Sequence, residues 1–203
     1  MSTSLGTPGT ARDIVRTRFT ATQRTLHWLM AAAILAMLFI GVGMKSTITP
    51  KYLTLVSIHK PLGIAILVLA LLRLGVRLRF GTPPLPADLP APMRLGAVLS
   101  HWALYALMIV MPLLGWAMLS AAGYPIRLGA GITLPPILAQ DDHLHAVLWS
   151  LHSNLAFVFF ALILLHLAAG LFHALVRRDG VFEAMAPVSD NSVPGHRTPT
   201  AAE

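Results

Sequence analysis

Residues 143–176 read HLHAVLWSLHSNLAFVFFALILLHLAAGLFHALV, a run without Asp, Glu, Lys or Arg. A helix needs about 20 apolar residues to cross the ~30 Å hydrocarbon layer of a bilayer, and this run exceeds that. Its histidines decide what kind of span it is. His152 and His166 are fourteen residues apart, close to four helical turns. Both therefore point to nearly the same side of the helix, about 21 Å apart along its axis. One helix offers an imidazole at two depths. Ionisable side chains inside a bilayer are costly and usually mark function.

Three further apolar blocks lie upstream. The first runs from Thr25 to Met44, between Arg24 and Lys45. It is too long for a signal-peptide core and no small-residue cleavage site follows Met44, so it reads as a retained helix. The second, Tyr52 to Arg77, contains Lys60 and Arg73. Each lies about two turns or less from an end and is expected to snorkel toward headgroups. The third is uncharged from Leu95 to Tyr124, with a kink expected at Pro112. The fourth block is expected to take its N-cap from Asp141 or Asp142.

Composition agrees with this reading. The chain is 56% apolar and 11% charged, against about 25% charged in soluble domains. The net charge of +7 does not indicate nucleic acid. Its Lys and Arg fall between the apolar blocks, without interleaved aromatics for base stacking. The absence of cysteine excludes disulfides, thiolate-held Fe–S clusters and covalent c-type haem attachment.

Gly81 to Pro92 is so rich in proline that it reads as an extended connector. The expected organisation is a flexible segment 1–16, a four-span domain 17–187 and a disordered tail 188–203, which holds His196. Arg12, Arg16, Arg18, Arg24, Arg73, Arg77, Arg79, Arg94, Arg177, Arg178 and Arg197 fall on one side of such a bundle. Only Lys45, Lys51, Lys60 and Arg127 fall on the other. The positive-inside rule then puts both termini in the cytoplasm. The fold class is an all-α, integral membrane four-helix bundle.

A planar macrocycle bound at each depth of the fourth span needs a second axial ligand from another helix. His59, near the outer start of span two, matches the depth of His152. His27, near the inner start of span one, matches His166. Two bis-histidine sites follow, stacked through one bundle. One turn beyond these ligands stand Ala31, Gly63, Ala156 and Gly170, which leave room for a ring against each helix. His101 is followed instead by Tyr105. A lone intramembrane histidine often only hydrogen-bonds a neighbouring helix, and a proton path is a further alternative. Zinc would want more ligands at each level, and the spans hold no Asp or Glu. The Asp141-Asp142-His143-Leu144-His145 cluster reads as a helix start whose acids complement the dipole, with an outer metal site as the alternative.

Leu26-His27-Trp28-Leu29, Ile58-His59-Lys60-x-Leu62-Gly63 with Arg73 downstream, Ser100-His101-x3-Tyr105 and His152-x13-His166-x6-His173 resemble the prokaryotic cytochrome b561 family. The resemblance covers about residues 17–187. It implies two non-covalent b haems, with His59 and His152 holding the outer one and His27 and His166 the inner one. It also implies respiratory electron transfer with quinone, in a bacterial inner membrane. One branch of the family oxidises superoxide at the periplasmic face and reduces ubiquinone near the cytoplasmic-side haem. Lys45, Lys51, Lys60 and Arg127 would suit that activity by steering a small anion, and they also read as headgroup anchors.

His173 lies about 10 Å beyond His166 on the same face, placed to hydrogen-bond a quinone carbonyl or a haem propionate and relay a proton. His101, with Trp102 beside it and Arg94 nearby, is a second candidate for quinone or propionate. A plain interhelical hydrogen bond, or axial ligation in place of His27, stays open for it. Some relatives carry another histidine three residues before His101, where this chain has Val98. The expected function is an oxidoreductase that passes electrons from superoxide to ubiquinone. The alternatives are a cytochrome b subunit serving a partner dehydrogenase or hydrogenase, and a haem-free scaffold or transporter.

Overall fold

The computed structural model describes residues 17–129 and 131–187. The expected flexible segment 1–16 and tail 188–203 lie outside the described residues. Four long helices carry the chain: α1 (Ala21–Ser46), α2 (Lys51–Phe80), α3 (Ala91–Ala121) and α4 (Asp142–Phe172). All four are long and apolar enough to cross a membrane. The spans expected from hydropathy correspond to these helices within a few residues. Pro61 and Pro112 both sit inside helices.

α1 packs on α2, α2 on α3, and α3 on α4. The small core at these contacts includes Met30, Ile34, Ile66, Ala70, Tyr105, Met108, Met111 and Phe159. Most other large apolar side chains point outward, among them Phe39, Leu72, Phe157 and Leu165. In water such a surface would be unstable, and in lipid it is the expected one. α4 is not packed closely on α1 or on α2, although its histidines face theirs.

Two short pieces were not legible from hydropathy. Strands β1 (Ile126–Gly129) and β2 (Ile132–Leu134) form an antiparallel hairpin between α3 and α4, and β1 rests on α2. After α4 comes a π-helical turn, His173–Arg177, and then a one-turn helix, α5 (Val181–Met185). The loop after α3 is tied back to that helix. Ser120 accepts from the Ile137 N–H at 3.1 Å, and Trp116 Nε1 donates to the Pro135 carbonyl at 3.0 Å. Asp141 caps α4, its carboxylate accepting from the Leu144 N–H at 2.9 Å.

The opposite end of the bundle is held by α1. Thr20 and Gln23 form a reciprocal capping box, which satisfies N–H groups that have no partner within the helix. Gln23 is only 5% exposed, and its Nε2 donates to the Gly81 carbonyl at the end of α2, at 2.8 Å. Trp28 Nε1 donates to the Met185 carbonyl at 2.9 Å, and the Phe19 N–H to Ala184 at 3.1 Å. The start of α1, the end of α2 and α5 therefore share one end. Replacing Gln23 with leucine removes the box and leaves the Gly81 carbonyl without this donor. We expect a loss of about 1–2 kcal/mol, seen as a fall of roughly 2–8 °C in the thermal unfolding midpoint in detergent. An unchanged midpoint would show that the staple carries no stability.

Candidate functional site

His152 and His166 on α4 each meet a histidine from another helix. The rings of His59 and His152 lie with centroids 6.3 Å apart and planes at 70°. Those of His27 and His166 lie 6.3 Å apart at 74°. The two pairs have the same separation at opposite ends of the bundle. Metal–imidazole bonds are about 2.0 Å long, so two nearly collinear ones put ring centroids roughly 6 Å apart. Both pairs have that span.

The backbone around them is open in the same places. A Cβ added to Gly170 would meet nothing within 4 Å, and one added to Gly63 would meet only Met37 Cε, at 3.7 Å. Gly115 on α3 is different, because a Cβ there would approach His152 Cε1 at 3.4 Å. His59, Lys60, Gly63, Gly115, Trp116 and His152 are among the residues around a small cavity at the outer pair. Within it, His59 Nδ1 and His152 Nδ1 are buried and make no hydrogen bond. Buried, unbonded ring nitrogens are rare. The outer pair fits a bound haem.

The inner end holds three imidazoles. His101 lies 5.4 Å from His166, nearer than His27 and shorter than a linear metal bridge requires. Its Nδ1 donates to the Ala97 carbonyl at 2.6 Å. His27 Nδ1 receives Arg73 Nη1 at 2.7 Å; arginine only donates, so this nitrogen accepts and the neutral ring carries its proton on Nε2. Arg73 Nε donates to the Tyr105 hydroxyl at 3.1 Å. The expectation that Arg73 snorkels to the headgroups is corrected here. Its side chain turns inward, because an acceptor from α1 and one from α3 replace the water it would seek. Arg77 lies over the Tyr105 and Trp102 rings, at 5.4 and 5.8 Å.

The remaining candidates are more scattered. Arg94 reaches the Ala87 carbonyl at 3.5 Å, a contact within the connector and not with His101. His173 Nδ1 bonds Asp179 at 2.8 Å. Asp179 was not singled out in the sequence, although the Asp179-Gly180 turn signal stands six residues after His173. On the outer side, Lys45 Nζ lies 4.1 Å from the Trp149 ring centre. Lys60 and Arg127, the latter on β1, are close enough for their like charges to interact. His145 Nδ1 donates to the Met118 carbonyl at 3.0 Å. Among the described residues, no group of three or more His, Cys, Asp or Glu is arranged around a metal-sized space.

Comparison with known proteins gives one answer. Residues 18–187 match the family described as prokaryotic cytochrome b561. A protein of Yersinia pestis named probable superoxide oxidase CybB is 30% identical over 172 residues, 84% of this chain and 96% of that protein. Cytochrome b561 homolog 1 of Escherichia coli K12 is 30% identical over 174 residues, covering 84% and 97%. Cytochrome b561 homolog 2 of the same organism is 28% identical over 171 residues, covering 83% and 90%. With four apolar helices and imidazoles paired across them, the chain belongs to the prokaryotic cytochrome b561 family of haem b-binding membrane electron-transfer proteins.

Proposed function

We propose that this protein binds two b haems, oxidises superoxide at the outer face of a bacterial inner membrane and reduces ubiquinone toward the inner face. The observation that carries this reading is the pair of imidazole bridges, each spanning 6.3 Å between helices that are not closely packed on one another. His59 and His152 would hold the outer haem, and His27 and His166 the inner one. Haem so held would supply a one-electron iron couple. The relative named a probable superoxide oxidase supports the choice of donor.

The chain's own residues set direction. Lys60 borders the outer cavity, and with Arg127 on the hairpin above it makes a positive mouth for a small anion. Fixing both α4 ligands on one rod sets the two redox levels about 21 Å apart between ligands. At the inner end, His173 and His101 are the groups for quinone or propionate, with Arg94 at the connector. The excess of arginine at this end supports both termini being cytoplasmic.

Two measurements test the reading. Reduced-minus-oxidised spectra of the purified protein are expected to show b-type α-bands, and their absence would overturn haem binding. Superoxide with a soluble ubiquinone analogue is expected to reduce the haems and then yield quinol. Haems that stay oxidised under superoxide would point instead to a cytochrome b subunit fed by a dehydrogenase or hydrogenase partner.

A further inference from the structure

The last span does not end in an ordinary α-turn. From His173 to Arg177 it winds as a π-helical turn, closed by the Arg178 N–H on the His173 carbonyl at 2.7 Å. Arg178 has φ of 53°, a left-handed conformation that no other non-glycine described residue adopts. Single π-turns and left-handed side-chain-bearing residues are both concentrated at functional sites. Here they reverse the chain so that Asp179 folds back onto His173. Its carboxylate oxygens stand 2.8 and 3.0 Å from Nδ1. The two side chains are 13% and 10% exposed.

Asp179 is itself surrounded by donors. Arg177 Nε reaches it at 2.8 Å and the Val181 N–H at 3.3 Å. The other arm of Arg177 pairs with Asp88 of the connector, at 2.8 Å. Burial works against the charge on Asp179, but the hydrogen bonds from Arg177, His173 and Val181 outweigh it and hold the carboxyl below the usual range. Glu183 of α5, the helix packed on this turn, is exposed. Both hydrogen-bond contacts to the His173 ring fall on Nδ1, so that nitrogen carries a proton and Nε2 is the remaining exchange point.

We propose that Asp179 is a positioning residue for proton delivery to the quinone: it locks the His173 proton on Nδ1 and leaves Nε2 as the nitrogen that hands protons over. This rests on His173 being a quinone contact. Quinone becomes quinol by taking up two electrons and two protons, one proton on each carbonyl oxygen. The electrons come from two superoxide ions, each oxidised to dioxygen. Each proton leaves Nε2 of the doubly protonated ring, which returns to its neutral form with Nδ1–H on Asp179. Water on the same side of the membrane reloads it.

The test uses the full-length, haem-loaded protein with superoxide and a ubiquinone analogue. In Asp179→Asn, Arg177 takes the amide oxygen, which turns the NH2 onto His173 and forces the ring proton to Nε2. Quinol formation is expected to fall on the order of 10-fold or more in kcat, with the quinone KM changed less than about 2-fold and haem content retained. Asp179→Glu, which keeps the carboxylate, is expected to recover part of the loss. A kcat for Asp179→Asn within 2-fold of the parent overturns the proposal and leaves Asp179 as a tie for the turn. His173→Gln separates the two levels. If it abolishes quinol formation while Asp179→Asn does not, only the positioning role fails. If it leaves quinol formation intact, the quinone contact fails, and the proposal with it.

Discussion

Replacing His152 with alanine is expected to cut the haem content from two per chain to one and to stop superoxide from reducing the haem that remains. The outer bridge has one imidazole from α2 and one from α4. Removing either leaves the outer pair one imidazole short, and His101 cannot replace it, because it sits at the inner end beside His166. Haem-to-protein ratio after extraction reads the first effect, and stopped-flow reduction by superoxide reads the second. His145→Ala is the control. His145 holds a backbone carbonyl at 3.0 Å and belongs to neither bridge, so that variant should keep both haems. Two haems retained in His152→Ala would show that the outer bridge is not the ligand pair.

Arg73 carries the second large effect. Its guanidinium is held between His27 and Tyr105 by bonds of 2.7 and 3.1 Å. No acidic group is paired with it among the described residues. A cation so placed favours the reduced, less positive iron. Arg73→Met should therefore lower the midpoint potential of the inner haem and leave the outer one nearly unchanged. At roughly 8–10 Å and an effective dielectric of about 20, one charge acts with about 2 kcal/mol. For a one-electron couple that is on the order of 70–90 mV. A spectroelectrochemical titration resolves the two haems. An inner potential that is unmoved or raised would mean that the guanidinium does not act on that site.

The four spans and the imidazole pairs were legible because each depends on one dimension. Length and hydropathy define a span, and a fixed rise per residue converts sequence spacing into depth. His152 and His166 could be assigned to two levels without knowing any contact, and matching His59 and His27 to those levels needed only the direction of each helix. Arg73 was misread for the converse reason. Its partners come from α1 and α3, and no local pattern announces an acceptor on another helix. The start of α1 was placed at Thr25, although the capping box begins it at Ala21, because hydropathy does not register polar residues that serve a helix end. The hairpin and α5 are too short for a periodicity to emerge. Asp179 acts on His173 only through a π-turn and a left-handed arginine, neither of which has a strong sequence signature.

His152 and His166 stand on one uninterrupted stretch of helix, and under the proposed function that has a consequence for how the two redox levels are gauged. Their separation is set by fourteen covalently linked residues and the hydrogen bonds of a single rod, not by how α1 and α2 settle against it. Loosening the bundle, by heat, detergent or a core substitution, changes whether each bridge closes. It leaves the ruler between the bridges intact. Tunnelling rates fall steeply with distance, so a helix that doubles as a ruler protects the quantity to which electron transfer is most sensitive.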